Sequence, residues 1–225
     1  MIIYKFFDFA RECVLDIAFP KHCIFCGRLI PAGKKLSVCS KCGYKVILQR
    51  VAIGDERSGC DEVLSPLKYE DGVRLSMLKF KFNSVKYFGY TYAKAMADML
   101  IDRWFYDNDC IIVAVPIHSI RDRAYNQSEV LARLLCRLTN KEYCNNLIYK
   151  IKPIDRLSKM NNIDKAFYSK DSFYINSCYN VSGKTIIIVD DIYTSGTTLK
   201  ELSSQFRMRG AKQVYGITAT YRELQ

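Results

Sequence analysis

The run Thr185-Ile-Ile-Ile-Val189, followed by Asp190-Asp191 and then Thr194-Ser195-Gly196-Thr197-Thr198, constrains the fold more than any other feature of the chain. An unbroken β-branched run without polar alternation predicts a strand buried on both faces. Such strands belong to parallel sheets covered by helices on each side. The helical spacing that follows, Thr198–Arg209, is closed by Gly210. Ligands of parallel α/β sheets bind beyond the carboxyl ends of the strands, where this acidic pair and hydroxyl-rich loop are expected to lie. A small loop with Gly196 can turn its backbone N–H groups toward a phosphate, and the following helix adds the positive end of its dipole. Thr194, Ser195, Thr197 and Thr198 offer hydroxyl donors to the same phosphate. Asp190 and Asp191 would repel that phosphate at close range. They suit the hydroxyls of a sugar that carries it, with Mg²⁺ as a cation able to take carboxylate and phosphate oxygens together. The chain holds no GxxxxGK[ST] and no GxGxxG, so neither a P-loop nor a dinucleotide fingerprint competes.

The remaining periodicities agree with this α/β reading. Strands are expected at Val63–Lys68, Ile111–Pro116, Leu147–Ile151 and Val214–Ala219, and helices at Asp71–Phe82, Tyr87–Trp104 and Asn126–Leu138. Residues 63–225 form the main domain on this reading, and 50–62, polar with Gly54 and Gly59, a connector. Residues 1–20 carry Ile3, Phe6, Phe7, Ala10, Val14 and Ile17 at helical spacing up to Pro20, an amphipathic helix expected to pack on the main domain. Its charges (Lys5, Asp8, Arg11, Glu12, Asp16) and its lack of a small-residue cleavage site distinguish it from a signal peptide. No apolar run reaches the ~18–20 residues of a membrane span. A soluble, cytoplasmic protein is the expectation.

Between these parts, residues 21–49 hold two CxxC pairs, Cys23/Cys26 and Cys39/Cys42. Two such pairs can set four thiolates tetrahedrally around one Zn²⁺ and leave no position open, so the metal would be structural. Iron in a rubredoxin-like site uses the same ligands and stays an alternative. Gly27 and Gly43 follow the second cysteine of each pair and suit tight turns. His22 is surplus to the four. The other six of the 10 cysteines are scattered and read as reduced thiols.

Formal net charge is +11, which points to a polyanionic partner. Gly72–Ala97 contains no acidic residue and interleaves Lys79, Lys81 and Lys86 with Phe80, Phe82, Tyr87, Phe88, Tyr90 and Tyr92. Cations beside stacking aromatics are what a single-stranded nucleic acid requires. Aromatics at this spacing on two helices also read as core, with the lysines as a solvated face, and the sequence leaves both open.

Residues 186–199, IIIVDDIYTSGTTL, resemble the phosphoribosyl pyrophosphate (PRPP) motif of type I phosphoribosyltransferases. With the cysteine module ahead of it, the chain resembles the ComF family, competence-associated proteins that include a GntX-like group. Segments 79–100, 115–132 (VPIHSIRDRAYNQSEVLA) and Asn162/Ala166/Phe167 extend the resemblance over nearly the whole chain. It implies a type I phosphoribosyltransferase-like parallel sheet flanked by helices behind an N-terminal zinc ribbon. It also implies that Asp190 and Asp191 hold the ribose hydroxyls and act as the catalytic pair. Thr194 to Thr198 would hold the 5′-phosphate, and Arg121 and Arg123 the pyrophosphate, although those two arginines also suit a solvated turn. Asn126 and Gln127 suit either the site or the start of a helix. The activity implied is phosphoribosyl transfer with displacement of pyrophosphate from Mg·PRPP to an unknown acceptor, in DNA uptake and natural transformation. A non-catalytic module that binds single-stranded DNA, with a helicase-like partner, is the other reading. Ala124 stands where the family has Gly, Lys159 where it has Arg, and the Lys150–Asn161 stretch lacks its Thr-x-x-Gln.

Overall fold

The computed structural model describes residues 20–34, 36–53, 57–82, 87–101, 110–117, 125–150 and 173–223. The amphipathic segment before Pro20 lies outside them. So do Lys86, Arg121, Arg123 and Ala124, together with Lys159, Asn162, Ala166 and Phe167.

Helix α1 (Ser40–Leu48) and strands β1 (Val51–Ile53) and β2 (Glu62–Ser65) come first. Helices α2 (Asp71–Phe82) and α3 (Phe88–Ile101), strand β3 (Cys110–Ala114) and helix α4 (Gln127–Thr139) follow. The chain continues through β4 (Ile148–Lys150), β5 (Phe173–Ile175), β6 (Thr185–Tyr193), α5 (Thr197–Met208) and β7 (Gln213–Tyr221). Five strands form a mixed sheet in the order β1-β2-β7-β6-β3, parallel except for β1 at the edge. The Ile run is central, between β7 and β3, as an all-apolar strand must be. Its side chains alternate between two cores. Ile187 and Val189 face Phe80, Tyr92, Met96, Leu131 and Leu135, whereas Ile186 and Ile188 face Leu199, Leu202 and Phe206.

Three features differ from the sequence reading. Strand β6 does not stop before the acidic pair; it runs to Tyr193, because β7 continues alongside and pairs Asp190 with Thr218 and Ile192 with Thr220. Val51–Ile53, within the stretch read as a connector, adds an antiparallel edge to β2. Phe173–Ile175 pairs with β4 in a separate two-stranded antiparallel sheet, tied to α5 by hydrogen bonds between Phe173 and both Glu201 and Gln205. Three residues are too few to show a periodicity.

The cysteine module shares the main core. Phe25, Val38 and Val46 pack against it, and the Phe25 ring meets the Tyr92 ring edge-on at 6.0 Å. Gly72, in the first turn of α2, makes this approach possible, since a Cβ there would sit 1.8 Å from the Phe25 carbonyl oxygen. Among the described residues, no helix is long and apolar enough to cross a membrane.

Candidate functional site

At the carboxyl end of β6 the two carboxylates meet different helices. Ser128 Oγ, in the first turn of α4, donates to Asp190 Oδ1 at 2.8 Å, and the Asp191 N–H donates to the same oxygen at 2.8 Å. Lys81 Nζ, in the last turn of α2, pairs with Asp191 Oδ2 at 2.8 Å, both side chains being close to nine-tenths buried. Burial, with the charge of Asp191 second, pushes the Asp190 carboxyl up to about 7. The Ser128 hydroxyl, the Asp191 N–H and the Lys81 ammonium oppose that shift. Near neutral pH Asp190 is therefore about half protonated, and a ligand or cation that needs its charge must displace that proton.

One segment, residues 125–128, organises this corner. Tyr125 Oη donates to the Phe80 carbonyl, and buried Gln127 donates through Nε2 to the Lys81 carbonyl at 2.9 Å. Asn126 is the N-cap of α4: its side chain accepts from Ser128 N at 3.1 Å and donates to the Val115 carbonyl at 3.0 Å. Of the two roles left open for Asn126 and Gln127, both residues take the structural one. Ser128 and Lys81 are the residues that sequence reasoning missed at the acidic pair. Neither stands in a spacing that marks it, since each is placed by a tertiary contact.

Beyond Tyr193 the chain turns at Gly196, whose φ of +79° makes it the N-cap of α5. Ser195 Oγ and Thr197 Oγ1 are 2.9 Å apart, and the Thr197 N–H faces Ser195 Oγ at 3.5 Å. Thr194, Ser195, Gly196, Thr197 and Thr198 line one small cavity of about 30 Å³ with Asp190 and Thr218. The five expected phosphate residues and Asp190 are thus brought together at the end of one strand, and Asp191 does not line that cavity. A larger hollow of about 610 Å³ lies between the cysteine module and α3, lined by Leu29, Ile30, Leu36, Val38 and Ala95. Its lining also includes Arg28, Lys34, Lys41, Arg50 and Lys94, but neither the acidic pair nor the hydroxyl loop, so size does not locate this chemistry.

In the cysteine module, the ligand atoms of Cys23, Cys26, Cys39 and Cys42 all lie within 4.8 Å of one another. A tetrahedral site with Zn–S near 2.3 Å places its sulfurs about 3.8 Å apart. The Cys26 and Cys39 sulfurs are 3.7 Å apart, so the donor set fits a four-thiolate metal ion. Cys39 is the N-cap of α1, and its thiol is drawn down to about 7, first by a backbone hydrogen bond from Cys42. The two knuckles are not alike. Gly27 has φ +72° and its N–H donates to the Cys23 carbonyl at 2.8 Å, a turn that favours glycine. Gly43 lies inside α1 and needs no such freedom, which corrects the symmetric expectation.

The basic, aromatic stretch divides. Phe80, Phe88 and Tyr92 are core, while Phe82 and Tyr87 are 57% and 66% exposed. Lys79 is exposed, but Lys81 is committed to Asp191, so its placement on a nucleic-acid face is corrected: it belongs to the acidic pair. Lys86 lies outside the described residues.

The phosphoribosyl transferase domain family matches residues 150–223, which include β6, the loop and α5. Competence protein F of Haemophilus influenzae is 25% identical over 230 residues, covering 95% of this chain and 98% of that protein. Among solved structures, a hypoxanthine phosphoribosyltransferase of Staphylococcus aureus is 12% identical (TM-score 0.41; 61% of this chain, 67% of that one). A hypoxanthine-guanine phosphoribosyltransferase of Bacillus anthracis is 23% identical (TM-score 0.41; 61% and 71%).

Proposed function

We propose, from the premise that this is a ComF-type chain with a phosphoribosyltransferase domain and an N-terminal four-cysteine metal module, that it binds Mg·PRPP at the end of β6. The observation that carries this reading is the convergence of Asp190 and Thr194 to Thr198 on one cavity at the start of α5. The loop offers hydroxyls, backbone N–H groups and a helix dipole to the 5′-phosphate. Asp190 and Asp191 take the ribose hydroxyls, with Mg²⁺ added to neutralise charge shared with the phosphates. The reaction supported is displacement of pyrophosphate by an acceptor at the ribose carbon. Stabilising the leaving group falls to cations, for which Arg121 and Arg123 remain the proposed pair. The four-cysteine module holds structural Zn²⁺, and the setting is DNA uptake, in keeping with the name of the Haemophilus influenzae relative.

A ³¹P NMR titration tests the loop. The 5′-phosphate resonance of PRPP is expected to shift and broaden on zinc-loaded protein, and to do so much less on Ser195→Ala/Thr198→Val. An equal response from the folded variant would remove the loop from the reading.

A second reading, a single-stranded-DNA module working with a helicase-like partner, is favoured by exposed Lys79, Phe82 and Tyr87 at one helix end and the next helix start. Lys79→Glu should weaken single-strand affinity and reduce its salt slope by about one. Unchanged binding would dismiss this surface.

A further inference from the structure

Lys81 is not an incidental neighbour of the acidic pair. Its backbone is clamped by Gln127 Nε2 at 2.9 Å, and the carbonyl before it accepts from Tyr125 Oη. The next residue of that clamp, Ser128, holds Asp190 at 2.8 Å. One four-residue segment thus fixes both the helix end that delivers the ammonium and one of the two carboxylates. The Lys81 and Asp191 side chains are only 13% and 11% exposed, so the pair is largely withdrawn from water. A desolvated ion pair is a poor device for stability alone, because the cost of drying both charges offsets their attraction.

We propose that Lys81 is the resident counter-cation of the Asp190–Asp191 pair, filling in the ligand-free protein the charge position that a divalent cation takes when the phosphoribosyl ligand arrives. The inference rests on the donor site proposed above. Two adjacent carboxylates without Lys81 would attract divalent metal by themselves. With Lys81 at 2.8 Å, a metal ion must compete against an ammonium fixed at its root, and it succeeds only when phosphate oxygens supply further ligands. The released ammonium stays on its short tether beside the ligand, where it can meet a phosphate oxygen. Lys81 on this account positions charge and makes metal entry conditional on the sugar phosphate.

The test uses Mn²⁺ alone on the zinc-loaded full chain, with free Mn²⁺ followed by its electron paramagnetic resonance signal. The four thiolates hold zinc and do not suit Mn²⁺. Removing one positive charge a few ångströms from the bound ion should tighten Mn²⁺ binding in Lys81→Gln by roughly tenfold or more. Lys81→Arg, which keeps the charge, should match the wild type. A purely structural lysine would lower the melting temperature of Lys81→Gln without tightening Mn²⁺, and that result would overturn the proposal. If Lys81→Gln does not fold, the wild type decides. Submillimolar affinity for Mn²⁺ alone would refute the counter-cation, and weaker binding that tightens with added ribose 5-phosphate supports it. PRPP titration of the wild type separates the two claims. Tight Mn²⁺ in Lys81→Gln without PRPP binding in the wild type keeps the counter-cation and dismisses the donor reading. PRPP binding with unchanged Mn²⁺ affinity does the reverse.

Discussion

Gly196→Ala is the perturbation for which the structure gives the clearest magnitude. Gly196 has φ +79°, and an added Cβ would stand 2.8 Å from Tyr193 Oη and 3.1 Å from the Arg57 carbonyl carbon and oxygen. Holding alanine in the left-handed region costs about 1 kcal/mol. Tyr193 is buried and Arg57 contributes backbone, so neither moves freely, and overpacking of this kind adds about 1–3 kcal/mol. The total expected is about 2–4 kcal/mol. Gly183→Ala supplies the control, because Gly183 has φ +71° but nothing within 4 Å of the added Cβ. It should cost the conformational part alone, about 1 kcal/mol. Urea unfolding of both variants, zinc-loaded, gives the difference directly, with equal m-values as the condition for comparing midpoints. A Gly196→Ala cost no greater than that of Gly183→Ala would refute the close packing of the loop on Tyr193 and Arg57.

Other outcomes follow from the same contacts. Burial and Asp191 raise Asp190 to about 7, so donor affinity should weaken as pH falls through that value and become flat in Asp190→Asn, measured by titration between pH 6 and 8 at fixed Mg²⁺. The stability of the ligand-free protein has a definite sign too. The folded state holds a proton that the unfolded carboxyl, with its ordinary pKa near 4, releases, so stability should fall as pH rises from about 4 to about 7. A rise over that window, seen by urea unfolding, would contradict it. Gly72→Ala should shift or detach the cysteine module, because the methyl meets the Phe25 carbonyl; faster proteolysis near residues 20–49 would report it, and wild-type resistance would refute the docking. Chelating the metal, or Cys39→Ser, should unfold the module and expose Phe25, Val38 and Val46, read as loss of one metal equivalent and gain of dye binding. Unchanged melting after complete metal removal would count against a structural ion.

The central strand and the glycine loop were legible because each is a local statement. An uninterrupted Ile/Val run can only be buried, and a Thr/Ser/Gly cluster before a helical period is a turn with donors. The two CxxC pairs were legible for the same reason, since ligand spacing is covalent. What stayed hidden depends on contacts distant in sequence. Lys81 and Asp191 are far apart along the chain, and they meet where residues 125–128 clamp the last turn of α2 beside β6. Ser128 reads as an ordinary helix-start residue until its partner on β6 is known. Strand β5 escaped, although its partner β4 was expected within Leu147–Ile151, because three residues carry almost no periodicity and β5 is held by β4 and by the α5 hydrogen bonds to Phe173. Aromatic spacing in α2 and α3 could not separate core from surface, because Phe80 and Phe82 differ by two positions and face opposite environments.

Calorimetric titration of PRPP onto zinc-loaded wild type and onto Asp190→Asn/Asp191→Asn, each with and without Mg²⁺, tests the central claim most directly. Saturable, Mg²⁺-dependent binding by the wild type that is lost in the folded double variant is the predicted result. No binding by folded wild type, or equal binding by the double variant, would contradict the assignment of a phosphoribosyl donor to the end of β6.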